Sequence, residues 1–388
     1  MASSGVGYAT VVLGFFDLGL VRAQDASSVR PAILNRLRSR PRRWCDIGII
    51  LLVVLIIAVG IHVARDTTEI SVGELDPIDR RALKEYSEYA AAVADSPESA
   101  AWLNAAATER PTLLISRKSQ FSYLINPSQE VSSPFAAPID MGENPAGLEV
   151  YRLDRFYPRL WPIKVAGGNF NTVGETTTVQ GSDVYYLKFG EDNFDKQFSS
   201  EHFITFFAHE SFHFYGQARW ALDSRVFGEL SPHGVELLDE RMRLLDDVRD
   251  AGADQARLRE LAAELLALEK ERLATDPDYV SQERWMETVE GTATYLGIEA
   301  ARAVGYDFGP MYFDNTKEAR FTDVIPFLKA GQIDNDFLRN RLPYEAGAQL
   351  CLLLAAIAPA TKWQAYLNEQ SPDSRRTLID ALGYVLDQ

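Results

Sequence analysis

Five consecutive residues, His209-Glu210-Ser211-Phe212-His213, have the spacing of a metal site. On a helix, positions i and i+4 lie nearly above one another, so both imidazoles can reach one ion. The Glu between them then points to the side where a metal-bound water would sit. Two neutral nitrogen ligands suit Zn²⁺, and a carboxylate beside an acidified water can take its proton. With only five His in the chain, two at this spacing are a signal rather than background. A catalytic zinc takes three protein ligands and keeps one position open, so a third ligand is required. The candidates are Glu290 and Glu287, in Trp285-Met286-Glu287-Thr288-Val289-Glu290-Gly291-Thr292-Ala293-Thr294-Tyr295, and His233, in Ser231-Pro232-His233-Gly234.

The block around Glu290 resembles the E-G-x-A-x-Y pattern on the second ligand helix of gluzincin-type metallopeptidases, the group that includes thermolysin. The resemblance implies zinc held by His209, His213 and Glu290, with Glu210 as the general base in peptide-bond hydrolysis. Gly291 and Ala293 would then let the two active-site helices approach closely, and Glu287 could orient a ligand His. One departure is Thr294, which stands where thermolysin carries an Asp that supports a ligand His. Arg341-Leu342-Pro343-Tyr344-Glu345-Ala346-Gly347-Ala348 looks like helix-start segments that follow the ligand helix in related peptidases. Tyr344 or Tyr295 would donate a hydrogen bond to the oxyanion. The metzincin pattern H-E-x-x-H-x-x-G-x-x-H holds through Gly216 and fails at Arg219, because a guanidinium cannot bind zinc.

The elements that would position these residues follow from periodicity. An Ala- and Glu-rich helical pattern runs from Ile78 to about Arg110. Strands are expected at Thr112–Ser116, Phe121–Ile125, Leu148–Leu153, Leu160–Val165 and Val184–Phe189. The last precedes the HExxH helix, an arrangement in which a sheet edge can hold an extended substrate by β-addition. Val235 to Asp250 and Ala256 to Leu273 read as a helical hairpin with its turn at Ala251–Asp254, since Leu258, Leu261, Leu265 and Leu268 repeat at spacings of three and four. The final hundred residues are mostly helical in pattern.

The chain has 388 residues and a net charge of −16, which speaks against nucleic acid as a partner. Its head differs from its body: residues 1–65 hold eight Arg, no Lys and three Asp. Ile47–Ala64 is eighteen residues without a formal charge, about 27 Å as a helix and close to a bilayer's hydrocarbon thickness. Arg36, Arg38, Arg40, Arg42 and Arg43 precede it, so the positive-inside rule places the N-terminus in the cytoplasm and the large domain outside. A cleaved signal peptide with Ala58-Val59-Gly60 as its processing site is the rival. Cys45 and Cys351, far apart in the chain, suggest no disulfide or Cys-rich metal cluster.

The resulting expectation is an α+β fold: a zincin-like metallopeptidase domain, helix-rich with a small sheet, behind a single N-terminal transmembrane helix. The expected division is a cytoplasmic segment 1–46, a signal-anchor 47–64 and an extracytoplasmic domain 65–388 with a helical hairpin insertion at about 232–275. Its function would be zinc-dependent hydrolysis of peptides or proteins at the cell envelope. The alternative is a non-catalytic, zinc-stabilised envelope domain that binds a partner. No oligomeric state follows from the residues.

Overall fold

Thr112–Ser116 and Ser182–Phe189 carry the unbroken apolar or aromatic runs Leu113-Leu114-Ile115 and Val184-Tyr185-Tyr186-Leu187, the pattern of strands covered on both faces. In the computed structural model, which describes residues 48–54, 56–57, 60, 69–95, 105–221, 225–317 and 319–387, they lie inside a seven-stranded mixed sheet. Its strands are β1 (Ile70–Ser71), β2 (Thr112–Ser116), β3 (Ser122–Ile125), β4 (Ala136–Asp140), β5 (Val150–Leu153), β6 (Thr177–Val179) and β7 (Ser182–Phe189), in the order β1-β4-β5-β3-β2-β7-β6. β2 pairs parallel to β7, with Leu113 opposite Tyr186 and Leu114 opposite Leu187. That register turns Leu114 and Leu187 to one face, against Tyr86, Tyr89, Phe203 and Phe207. It turns Leu113, Ile115, Val184 and Tyr186 to the other, against Tyr157 and Leu160.

The first face is covered by helices α1 (Pro77–Asp95) and α2 (Phe203–Tyr215), the latter carrying the HExxH residues. A helical layer follows in sequence: α3 (Pro232–Asp250), α4 (Gln255–Thr275), α5 (Pro277–Ala303), α6 (Leu342–Ile357), α7 (Ala360–Asn368) and α8 (Leu378–Leu386). α3 and α4 form the hairpin. Ser231 caps α3 by accepting from Gly234 N, and Asp254 caps α4 by accepting from Ala256 N and Arg257 N. Leu258, Leu261, Leu265 and Leu268 are all buried, each contributing about 1.5–3 kcal/mol of burial.

α5 is the central strut, 27 residues or about 40 Å long, and glycines set how closely its neighbours approach. A Cβ on Gly291 would stand 2.4 Å from Gly347 Cα, and one on Gly347 would stand 2.3 Å from Glu287 O. α5 and α6 therefore cross with their backbones in contact. A Cβ on Gly297 would meet Thr205 Cγ2 at 3.0 Å and Thr205 O at 3.1 Å, so Gly297, rather than Gly291, is the small residue facing α2.

Several expectations are corrected. The sheet is larger than the small one expected, and among the described residues no helix is long and apolar enough to cross a membrane. Of the expected span 47–64, residues 48–54, 56–57 and 60 are helical, while 47, 55, 58–59 and 61–64 lie outside the described residues, as does the segment 1–46. Residues 1–59 and 60–388 form separate compact units, and all that follows concerns the second. The strand expected at Leu160–Val165 is a short helix, Trp161–Ala166, because Pro162 lacks the N–H a ladder needs but fits a helix's first turn. β4 went unforeseen because Pro138 sits at its centre; β1 pairs only with Ile139 and Asp140, so the prolyl nitrogen disrupts no bond on that side. Finally, the outer edge of β7 is already occupied. β6 pairs with Ser182 to Val184, and beyond it Tyr186 N donates to Asn171 Oδ1 and Lys188 N donates to Asn169 O at 2.7 Å. An extended substrate cannot add along β7 itself.

Candidate metal centre

α2 follows His202 and enters the sheet-facing aromatic core through Phe203 and Phe207. Further along, it presents His209, Glu210 and His213, all partly buried. The helix stops at Gly216, where a Cβ would lie 2.3 Å from the Phe212 ring. α5 crosses α2 and brings Glu290, with only 3% of its side chain exposed, up to the two imidazoles.

The three ligand atoms converge. His213 Nε2 is 3.0 Å from His209 Nε2 and 3.1 Å from Glu290 Oε2, and His209 Nε2 is 3.4 Å from the same oxygen. Ligands about 2.0–2.1 Å from a tetrahedral zinc stand about 3.3 Å from one another, so the donor set fits that ion. His209, His213 and Glu290 are also the one group of three or more His, Cys, Asp or Glu among the described residues that is disposed to hold a metal. Burial alone would raise the Glu290 pKa, but the facing imidazoles of His209 and His213 hold it far below the usual carboxylate range. It is therefore ionised, as a ligand must be.

Partners around the site fix the orientation of His213. Gln217 Nε2 donates to Val289 O at 2.7 Å and to Thr292 Oγ1 at 2.9 Å. Its oxygen, 2.6 Å from His213 Nδ1, is left to accept from Nδ1–H, which turns the lone pair of Nε2 toward the metal position. Gln217 thus supports a ligand His, whereas Thr294 donates to Glu290 O on its own helix. The signal for Gln217 in the sequence is position: it lies four residues beyond His213, just past the end of the helix. Arg225 pairs with Glu290 Oε1, and no spacing pattern announced it.

The rival ligands lie elsewhere. Glu287, one turn before Glu290, is bound into a buried ion cluster with Arg241 at 2.8 Å. Arg241 also holds Glu269 at 2.7 Å, and Arg272 joins Glu269 at 2.8 Å to Glu283 at 2.7 Å. His233 is exposed at the start of α3, 3.2 Å from Glu236 Oε2. Arg219 is exposed. Tyr295 is buried in the helical core against Trp363. Tyr344 is the tyrosine at the site: its ring lies parallel to that of His209, with centroids 5.9 Å apart. Its hydroxyl is within hydrogen-bonding reach of Arg225 and Glu290, and burial, with the Glu290 charge, pushes its pKa up to about 12. It is a phenol donor at neutral pH.

Two cavities flank the triad. One, about 130 Å³, is lined by Glu210, His209, Tyr344, Phe206 and Arg341. The other, about 570 Å³, is lined by His213, Glu290, Arg225, Trp220, Val173 and Val289. A further cavity of about 420 Å³, among residues of α3, α4, α5 and α6, touches none of the three ligands and shares only Phe308 with the Glu210 side. Compared with family models, curated proteins and solved structures, the chain matches none.

Proposed function

We propose that the protein is a zinc-dependent peptidase of the gluzincin type, acting on peptide or protein substrates. The observation that carries this reading is the convergence of His209 Nε2, His213 Nε2 and Glu290 Oε2 within 3.4 Å of one another, with Glu210 lining the adjoining cavity. Zinc held there would supply a Lewis acid for a carbonyl and an acidified water.

The chain's own residues do the rest. Glu210, partly buried next to His209, takes the proton of the attacking water and delivers it to the leaving nitrogen. The protonated Tyr344 hydroxyl donates to the oxygen on which charge develops. Gln217 keeps His213 in one tautomer throughout. Val173, Trp220 and Val289 make the wider cavity apolar on the His213 side, which suits an apolar side chain of the substrate.

The test is zinc content together with cleavage of denatured protein. Wild type should bind one zinc, and E210Q should keep it while losing on the order of 10²–10⁴-fold in hydrolysis. Unchanged cleavage by E210Q, or a purified wild type that takes up no zinc, would reject the proposal.

A further inference from the structure

Glu290 has two oxygens, and the structure uses them differently. Oε2 faces His213 at 3.1 Å and His209 at 3.4 Å, while Oε1 is held by the guanidinium of Arg225. We infer that Arg225 is a positioning residue that keeps Glu290 a one-oxygen ligand, so that a coordination position stays open for water or substrate. The inference rests on the metal site proposed above.

Three further observations support it. First, Arg225 reaches inward from the surface. Its side chain is 53% exposed, whereas that of Glu290 is 3% exposed, so the cation gains little burial by making the contact. Second, the backbone of Arg225 has φ of 53°, in the left-handed region that a non-glycine residue adopts at a cost. From that backbone the side chain reaches the Glu290 carboxylate. Third, the Tyr344 hydroxyl lies within hydrogen-bonding reach of both Arg225 and Glu290. A guanidinium has five N–H donors in a fixed plane and can address Glu290 and Tyr344 together, which an ammonium on a flexible stem does poorly.

A carboxylate with both oxygens free can chelate an ion and fill the place a water needs. With Oε1 engaged, only Oε2 is available. Arg225 therefore acts on coordination number as well as on ligand position. The opposite reading is that Arg225 merely stands in for the ion and competes with it.

Cobalt(II) uptake by the full chain separates these, because four-coordinate cobalt absorbs visible light strongly and five-coordinate cobalt weakly. R225A should bind metal about 10–100-fold more weakly in chelator competition, as expected on losing an outer partner of a ligand, and its cobalt spectrum should weaken toward the five-coordinate form. R225K should fall between in affinity, with a spectrum close to wild type. R225Q, which keeps donors without the charge, replaces R225A if that variant does not fold. Unchanged or tighter metal binding with an unchanged spectrum would overturn the inference. A wild type that binds neither zinc nor cobalt would instead overturn the metal site itself.

Discussion

Glu287 and Glu290 stand three residues apart on α5, both almost fully buried, yet they belong to different chemistry. Glu287 is paired with Arg241 inside a buried cluster of charges. Arg241, Arg272 and Arg284 balance Glu269, Glu283 and Glu287 in a cluster that ties the α3–α4 hairpin to α5. Glu290 faces two imidazole nitrogens and a single half-exposed guanidinium. A buried carboxylate whose charge is matched by the protein is structural; one whose second partner is nitrogen lone pairs waits for a cation. Position on the helix decides which is which. Glu287 points toward the hairpin and Glu290 toward α2, a difference of about 60° around the helix axis and most of one turn along it.

The sharpest way to break this comparison is to remove each carboxylate in turn. E287A leaves Arg241 buried without one of its two acidic partners and should cost about 3–5 kcal/mol of fold stability, with zinc still bound. E290A should abolish tight zinc binding and change the stability of the metal-free chain by within about 1 kcal/mol, because Arg225 returns to solvent. Denaturant unfolding of the metal-free variants and a zinc titration of each provide the four values needed. Zinc lost from E287A without unfolding would erase the distinction drawn here.

A smaller effect sharpens the metal side of the comparison. Gln217 touches no ion, but its oxygen fixes the His213 tautomer. Q217A should weaken zinc binding about 10–100-fold, read by chelator competition, while Q217E, which keeps the acceptor, should retain most of it. Equal loss in both variants would mean that Gln217 matters only through Val289 and Thr292, which its nitrogen holds.

How much of this was legible in the residues follows the range of each interaction. HExxH is local, and its geometry follows from one helix period. The hairpin was legible because Leu258 to Leu268 repeat along one face. Glu290 is marked only by the pattern around it, and Gly291 is a close-approach residue whose neighbour is α6 rather than the expected α2. Helix spacing says that a face is small without saying which helix it meets. The role of Glu287 depends on Arg241 and Arg272, 46 and 15 residues before it, and Arg225 lies on a connection with no periodicity to read. Pro138 and Pro162 misled in opposite directions, since a proline can end a strand, sit at an unpaired edge or start a helix, and only the neighbours decide.

His202 is a third kind of buried polar group, matched neither by a metal nor by a closed set of charges. It precedes α2 with 1% of its side chain exposed, stacks on Tyr306 at 3.7 Å and lies 3.3 Å from Arg81. Burial first, and then the Arg81 charge, lower its pKa to about 3, against about 6.5 for a free His. Between those values the unfolded chain binds a proton that the folded chain refuses, so stability falls as pH drops below about 6.5, by up to about 1.4 kcal/mol per pH unit. Above 6.5 the contribution is present in full. H202N should be less stable than wild type at pH 7.5, and the gap should narrow steadily as the pH approaches 5, because the variant has no such proton to bind. A gap that stays constant across that range would show that the folded protein accommodates protonated His202, with Glu85, 3.6 Å from its Nε2, as the group that balances it.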